Sequence, residues 1–363
     1  MIQIDIRPLW RIRSGEEREF EFQLIELLAE LDVSAKLTQA AERAGISYRH
    51  AWNLIEDWEK FFGSTLVTKA RGRGTTLTPL GKRLLLAGRR AQARLAPELA
   101  NLASEFARSL NETLSEAMPT LVMQASHDFA VAGLGEISSA AGVSVDLQYK
   151  GSFDALAALR RGECDIAGFH VPVGRLGELM QQRYAECLSL EDHRLISFVT
   201  RTQGLIVRPG NPKNIAAVAH LTRQDVRMVN RQRGSGTRAL LEFMISTEGL
   251  DRSRMQGYDN EEITHAAVAA LIAGHQADVG FGVHAAATQY RLDFVPVCTE
   301  RYYLACRTED LSSAAVTTLL DHLRGSPFRA LVASLPGYAA PDPGTIFSSF
   351  EPGLEAEAVA APR

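Results

Sequence analysis

The apolar pattern of this 363-residue chain changes period near residue 118, and that change limits its fold more than any other feature. Before it, apolar residues recur at helical spacing. After it, short apolar runs alternate with helix-like stretches, which is the pattern of a mostly parallel sheet covered by helices. A chain of this length suggests two or three domains. We divide it into a helical domain over 1–78, a linker helix over 79–117, an α/β domain over 118–340 and a flexible tail over 341–363. The tail is rich in Pro, Gly, Ala and Glu, with Phe347 and Phe350 as its candidate docking residues.

Apolar residues make up 46% of the chain and charged residues 23%, as in soluble globular proteins. No apolar run approaches the roughly 18 residues a membrane span requires. Residues 1–13 alternate polar and apolar side chains instead of forming a signal peptide. These features place the chain in the cytoplasm with no membrane partner. Four scattered cysteines, Cys164, Cys187, Cys298 and Cys306, form no C-x-x-C pair and argue against a disulfide framework or a structural zinc site. The net charge of −4 hides an asymmetry. Residues 1–118 carry 17 Lys and Arg against 16 Asp and Glu, and Lys60 to Pro97 holds nine basic residues and no acidic one. A positive stretch on a mildly acidic protein points to a nucleic-acid surface.

Phe20 to Leu31 reads as an amphipathic helix and Leu37 to Ala44 as a second, shorter one. Gly45 then supplies a tight turn, and Ser47 caps a third helix that Gly63 closes. Helix, glycine turn, helix is the helix-turn-helix pattern. Ala51, Leu54, Ile55 and Trp58 form the core stripe of the third helix. Tyr48, Arg49, His50 and Asn53 fall off that stripe, with Ser47, at the end where a recognition helix meets base edges and phosphates. Read alone, they form a solvated face equally well. Leu66 to Thr68 and the basic, glycine-rich segment with Lys69, Arg71 and Arg73 make a two-stranded wing. Thr78 caps the long helix that follows, whose apolar positions Leu84, Leu85, Ala87, Ala91, Leu95 and Leu99 mark a dimer seam.

In the second part, strands end in small polar residues. Leu121–Ala125 leads to Ser126, His127 and Asp128, the strand before Tyr149 leads to Gly151 and Ser152, and Asp165–Phe169 ends at His170. Open α/β sheets bind ligands at such strand ends. The strongest candidate is Asn230–Arg238 (NRQRGSGTR). Gly234 and Gly236 allow a tight turn whose N–H groups and following helix face one anion, Ser235 and Thr237 add hydroxyl donors, and Arg231, Arg233 and Arg238 add positive charge. The plainer reading is a strand-to-helix turn with Ser235 as an ordinary cap. Two α/β lobes joined by crossing segments would form a hinged clamshell, with Ser126, Gly151, Ser152 and His170 facing Asn230, Arg231, Ser235, Gly236, Thr237 and Arg238.

Gly45–Glu56 (GISYRHAWNLIE), Phe62-Gly63, Leu66-Val67, Gly72–Gly74 and Leu77–Leu85 (LTPLGKRLL) resemble the winged-helix domain of molybdate-responsive regulators and their LysR-type relatives. That resemblance implies dimerisation through the long helix and two half-sites on duplex DNA. Leu156–His170 (LAALRRGECDIAGFH), Gly204–Pro212 (GLIVRPGNP), Asn230–Arg238, Gly257-Tyr258 and Phe294–Pro296 resemble the periplasmic-binding-protein-like domain fused to regulators and to molybdopterin-biosynthesis proteins. It implies ligand binding without catalysis. The expected protein is multidomain: an all-α winged helix-turn-helix with a two-lobed α/β ligand domain, acting as a homodimeric or higher-order regulator of transcription. Its expected partners are double-stranded DNA and a small anion, with no resident cofactor beyond a bound oxyanion such as molybdate or tungstate. A small organic anion is the alternative ligand. An enzyme or a binding protein of molybdenum-cofactor metabolism is the rival class. No H-E-x-x-H motif or close histidine pair supports a metal site, and adjacent Ser126, His127 and Asp128 cannot adopt the geometry of a catalytic triad.

Overall fold

The computed structural model describes residues 4–14, 16–70, 74–114, 120–140 and 144–350. Arg71 and Arg73 of the wing lie outside them. The chain forms two compact units, one of residues 7–93 and one of residues 1–6 with 94–363. Their boundary falls inside a single long helix, so the segment expected to be a separate linker contributes to both units.

The first unit opens with a hairpin of β1 (Trp10–Ser14) and β2 (Glu16–Phe20). The alternation of residues 1–13 was the only trace of it in the sequence. Then come α1 (Phe22–Ser34), α2 (Leu37–Arg43), α3 (Tyr48–Phe62), the wing strands β3 (Val67–Ala70) and β4 (Gly74–Leu77), and α4 (Pro79–Leu114). Local chemistry sets the ends of these helices. Ser47 Oγ accepts from the His50 N–H at 3.2 Å, and Gly63 closes α3 with φ +61°. Thr78 Oγ1 accepts from the Gly81 N–H at 3.1 Å. The apolar stripes of the three helices meet around buried Trp58, whose ring meets Phe20, Phe61 and Phe62 at centroid distances of 5.0–5.6 Å. Glu59 ties the wing to α3, since its Oε1 accepts from the Leu66 and Val67 N–H groups at 2.7 and 3.1 Å. Leu85 of α4 is buried in this same core, and a Cβ on Gly88 would come within 2.6 Å of Ile25. Leu85 is therefore unavailable to a dimer seam.

The second unit adds, in chain order, β5 (Thr120–Ala125), α5 (Phe129–Ala140), β6 (Ser144–Tyr149), α6 (Ser152–Arg160), β7 (Ile166–Pro172), α7 (Arg175–Tyr184), β8 (His193–Val207), β9 (Met228–Arg231), α8 (Gly236–Thr247), β10 (Glu261–Glu262), α9 (His265–Ala273), β11 (Val279–Val283), α10 (His284–Gln289), β12 (Asp293–Arg307), α11 (Ala314–Arg324), α12 (Ser326–Ala333), β13 (Tyr338–Ala339) and β14 (Ile346–Phe347). They build one sheet of order β10-β9-β11-β8-β12-β7-β5-β6, with β13 and β14 paired to β8. The 15-residue strands β8 and β12 run antiparallel through both lobes. Both strands run well beyond the parts of them, Gly204–Val207 and Phe294–Pro296, that stood out in the sequence as motifs. Two register shifts, at Pro296/Cys298 and Tyr302/Tyr303, bracket the ladder where Glu300 lies opposite Arg201. Every residue of β7 is buried, as expected of a strand covered on both faces. That strand continues past the expected end at His170 to Pro172, so His170 sits inside it.

α5, α11 and α12 cover one face of the first lobe, around Leu134, Phe198, Leu319 and Phe328. A second apolar cluster runs from Leu156, Phe169 and Tyr184 to Leu240, Leu241, Met244 and Phe281. Residues 341–350, assigned to the tail, pack onto the unit instead. Phe347 pairs in register with Leu195, and the Phe350 ring meets Phe169 and Tyr303 at 6.3 and 6.2 Å. The second half of α4 docks on β6. Asn101 accepts from the Tyr149 N–H at 2.6 Å and donates to its carbonyl at 3.2 Å, while Arg108 pairs with the buried Asp146 carboxylate at 3.2 Å.

Candidate functional site

Where β8 and β12 pass between the lobes, the sheet becomes polar. Arg201, only 1% exposed, donates from Nη1 to Asp128 Oδ2 at 2.6 Å and from Nε to Glu300 Oε2 at 3.0 Å. Asp128 is itself fixed, accepting from the Ala130 N–H that opens α5 and from the Tyr338 hydroxyl at 2.6 Å. Gln203 Nε2 donates to Glu300 Oε2 at 2.9 Å and to Thr237 Oγ1 at 3.0 Å, which joins the crossing strands to the start of α8. His170 shares a hydrogen bond of 3.2 Å with Ser152 Oγ through Nδ1, and its Nε2 lies 3.6 Å from Glu300 Oε1. A Cβ on Gly236 would overlap the His170 ring, and one on Gly151 would come within 2.9 Å of the Gly234 carbonyl. The loops after β6 and β9 thus approach each other through glycines, where a side chain on either would hold the lobes apart.

The electrostatics of this cleft are uneven. Arg231 is 5% exposed and donates to neutral groups only, the Gln232 amide oxygen at 3.2 Å and the Ile263 carbonyl at 2.9 Å. Among the described residues no carboxylate pairs with it. Burial, with the like charge of Arg201, pulls its guanidinium down to about 9. The histidines nearby are held neutral. Burial, followed by the Arg231 charge, lowers His127 to about 4, and burial followed by an arginine charge puts His170 and His265 well below their ordinary value. Burial raises the Glu300 carboxyl, against the opposing pull of Arg201.

The residues expected from sequence divide into two groups. Ser152, His170, Gly236 and Thr237 come together at the cleft, with Gly151 facing Gly234 across it. Ser126 bonds the Tyr302 hydroxyl at 3.1 Å at the end of β5. Ser235 acts as the cap of α8, accepting from the Arg238 N–H at 3.2 Å while donating to the Gln232 carbonyl at 2.9 Å, which is the plainer of the two readings. Asn230 bonds backbone, donating to the Tyr258 carbonyl at 3.3 Å and accepting from the Arg231 N–H at 3.1 Å. Arg238 is held by Glu242 at 2.7 Å and Glu261 at 3.5 Å and lies over the Tyr258 ring, so its charge is already matched. Sequence reasoning missed Arg201, Gln203, His265 and Glu300. Among the described residues no group of three His, Cys, Asp or Glu is placed to hold a metal ion, and no helix is long and apolar enough to cross a membrane.

On the first unit, Tyr48, Arg49 and Asn53 are exposed along one side of α3. His50 is tied back to Gln23 at 3.0 Å, and the Lys69 ammonium sits 4.0 Å above the Trp52 ring. Among the described residues Arg49 has no such partner, whereas His50 and Lys69 each hold one.

The neutral histidines make a pH prediction. An unfolded chain protonates its histidines as pH falls through about 6.5, whereas the folded cleft keeps His127 neutral to about 4 and His170 and His265 neutral well below 6.5. Stability is therefore independent of these groups above pH 6.5 and declines below it, by up to about 1.4 kcal/mol per pH unit for each histidine. Urea unfolding between pH 7.5 and pH 5 should show this slope, and His170→Asn should make it shallower. A flat profile over that range would contradict the assignment.

With the geometry in place, two family models match the chain. Residues 135–324 match the PBP superfamily domain, and residues 22–82 match the bacterial regulatory helix-turn-helix protein, LysR family. The Bacillus subtilis (strain 168) protein YvgK is 33% identical over 193 residues, 53% of this chain and 61% of its own length. The molybdenum-pterin-binding protein MopB of Rhodobacter capsulatus is 30% identical over 118 residues, 31% of this chain and 40% of its own. The chain thus spans less than two thirds of either relative. A cysteine-to-serine mutant of Corynebacterium glutamicum OxyR, bound to hydrogen peroxide, aligns over 86% of this chain and 95% of its own at 13% identity, and its TM-score of 0.44 is too low to bear on function. The chain belongs to the PBP superfamily and, with its LysR-type helix-turn-helix, has the domain composition of a ligand-responsive transcriptional regulator, a class that is not enzymatic.

Proposed function

We propose that this protein reads duplex DNA with α3 as a dimer and is switched by a small anion held between the lobes of its second unit. The observation that carries the ligand half is Arg231: a buried guanidinium with only neutral partners, in a cleft whose histidines are neutral, lacks a counter-charge that an anion would supply. Molybdate or tungstate is one candidate, supported by the name of the Rhodobacter capsulatus relative. A small organic anion is the other, favoured by the mixture of donors and acceptors around Gln203 and His170.

The route from ligand to DNA runs through Tyr149. Its ring lies 4.9 Å from that of His127 at the cleft, and its backbone is clamped by Asn101 of α4. An anion that draws the lobes together shifts the end of β6, and the helix fixed to it follows. The exposed apolar positions of this part of α4 are Leu102 and Phe106, 52% and 54% accessible, and with half-buried Leu95 and Leu99 they are spaced by four, three and four residues. That is the spacing of a helix-pair seam. On this reading the dimer contact lies further along the helix than Leu84 and Leu85, which serve the first unit's own core.

Four outcomes are expected. In gel-shift titrations, Arg49→Ala should lose about 1–3 kcal/mol of discrimination between operator and random duplex; unchanged discrimination would remove α3 as the reader. Arg231→Met should abolish the effect of anion on DNA affinity, while Asn101→Ala should leave anion binding intact but uncouple it from DNA. Either variant behaving as wild type would refute that part of the mechanism. Leu102→Glu combined with Phe106→Glu should give monomers by light scattering, and a dimeric mass would place the seam elsewhere.

A further inference from the structure

Gln203 and Glu300 carry a specific chemical demand. Gln203 Nε2 donates to both Glu300 Oε2 and Thr237 Oγ1, and because an ionised carboxylate only accepts, this orientation of the amide is fixed. Its Oε1 is then an acceptor, fully buried and without a donor. Glu300 Oε2 receives both Arg201 Nε and Gln203 Nε2, whereas Glu300 Oε1 is likewise buried without a donor. His170 Nε2 lies 3.6 Å from it, beyond hydrogen-bonding range, and is itself without a partner among the described residues. All three atoms belong to side chains that meet the start of α8, His170 at Gly236 and Gln203, which also holds Glu300, at Thr237.

A fully deprotonated oxyanion offers acceptors only. It could answer Arg231, yet it would press oxygen lone pairs against the Gln203 and Glu300 oxygens and leave both acceptors unmatched, which a buried site penalises heavily. We infer that the ligand of this cleft is an anion that also carries an O–H or N–H donor, a protonated oxyanion such as hydrogen phosphate or a hydroxy or amino acid, with its charge on Arg231 and its donor on Gln203 Oε1 and Glu300 Oε1. The inference rests on the anion site proposed above and narrows its occupant, setting molybdate, tungstate and sulfate at a disadvantage. The logic is that of a site that reads a single proton: two ions of similar size and shape are told apart by whether one of their oxygens can donate.

Matched pairs test it on the full chain. Calorimetric titration near pH 7.5 compares hydrogen phosphate with sulfate, molybdate and tungstate, and glycolate with acetate. The two arms separate a protonated oxyanion from a hydroxy acid. The member with the donor should bind at least about tenfold more tightly than its partner without one. Gln203→Met, which removes the amide acceptor and leaves the Arg201 pairs with Asp128 and Glu300 in place, should shrink that gap to within about threefold. Sulfate, molybdate or tungstate binding as tightly as the donor-bearing probes, or a gap unchanged in Gln203→Met, overturns the inference while leaving an anion sensor standing. Binding by none of the six probes overturns the anion site itself, and the inference with it.

Discussion

Arg201 carries the cost on which the second unit is organised. A guanidinium enclosed on the crossing strands, out of water, is tolerable only with opposite charge in good geometry, and Asp128 and Glu300 supply it from two different elements. Asp128 stands at the start of α5 and also receives the Tyr338 hydroxyl, so the group brings together the turn after β5, both long strands and the short strand β13. Gln203 extends the network to Thr237 in the second lobe. One buried cation therefore fixes the cleft floor. Its own charge is thereby matched, whereas Arg231 has only neutral partners among the described residues.

Burial, reinforced by the same guanidiniums, explains why the neighbouring histidines stay neutral. Two guanidiniums and extensive burial act on His127, His170 and His265 in the same direction, so these rings present one N–H and one bare nitrogen each instead of further positive charge. The His127 ring also meets that of Tyr149, whose backbone N–H is held by Asn101 of α4.

How much of this was legible in the sequence depends on how local each interaction is. The helix-turn-helix could be read because its signals, Ser47, Gly63 and Thr78, act within three or four residues of where they stand. The turn through Gly234, Ser235 and Gly236 was legible for the same reason, though the Ser235 hydroxyl proved to be spent on capping. Arg231 and Arg238 looked alike as charges near a glycine turn. What separates them is Glu261, 23 residues beyond Arg238, and Glu242, one helical turn away. The second of these was visible as an i, i+4 pair. Arg201, Gln203 and Glu300 were out of reach, because their association depends on the register of two strands about a hundred residues apart, and that register is shifted twice by irregularities the sequence does not announce.

The continuity of β8 and β12 through both lobes has a mechanical consequence. A ribbon of two strands keeps its ladder when it twists, so moving one lobe against the other need break no backbone hydrogen bond, and the two register shifts provide the places where the ribbon yields. Such a joint behaves as a torsion bar: stiff against sliding and stretching, compliant about one axis. The balance between its end positions would then rest on side-chain contacts between the lobes such as Gln203 to Thr237, and a preference of only a few kcal/mol for one position would shift it.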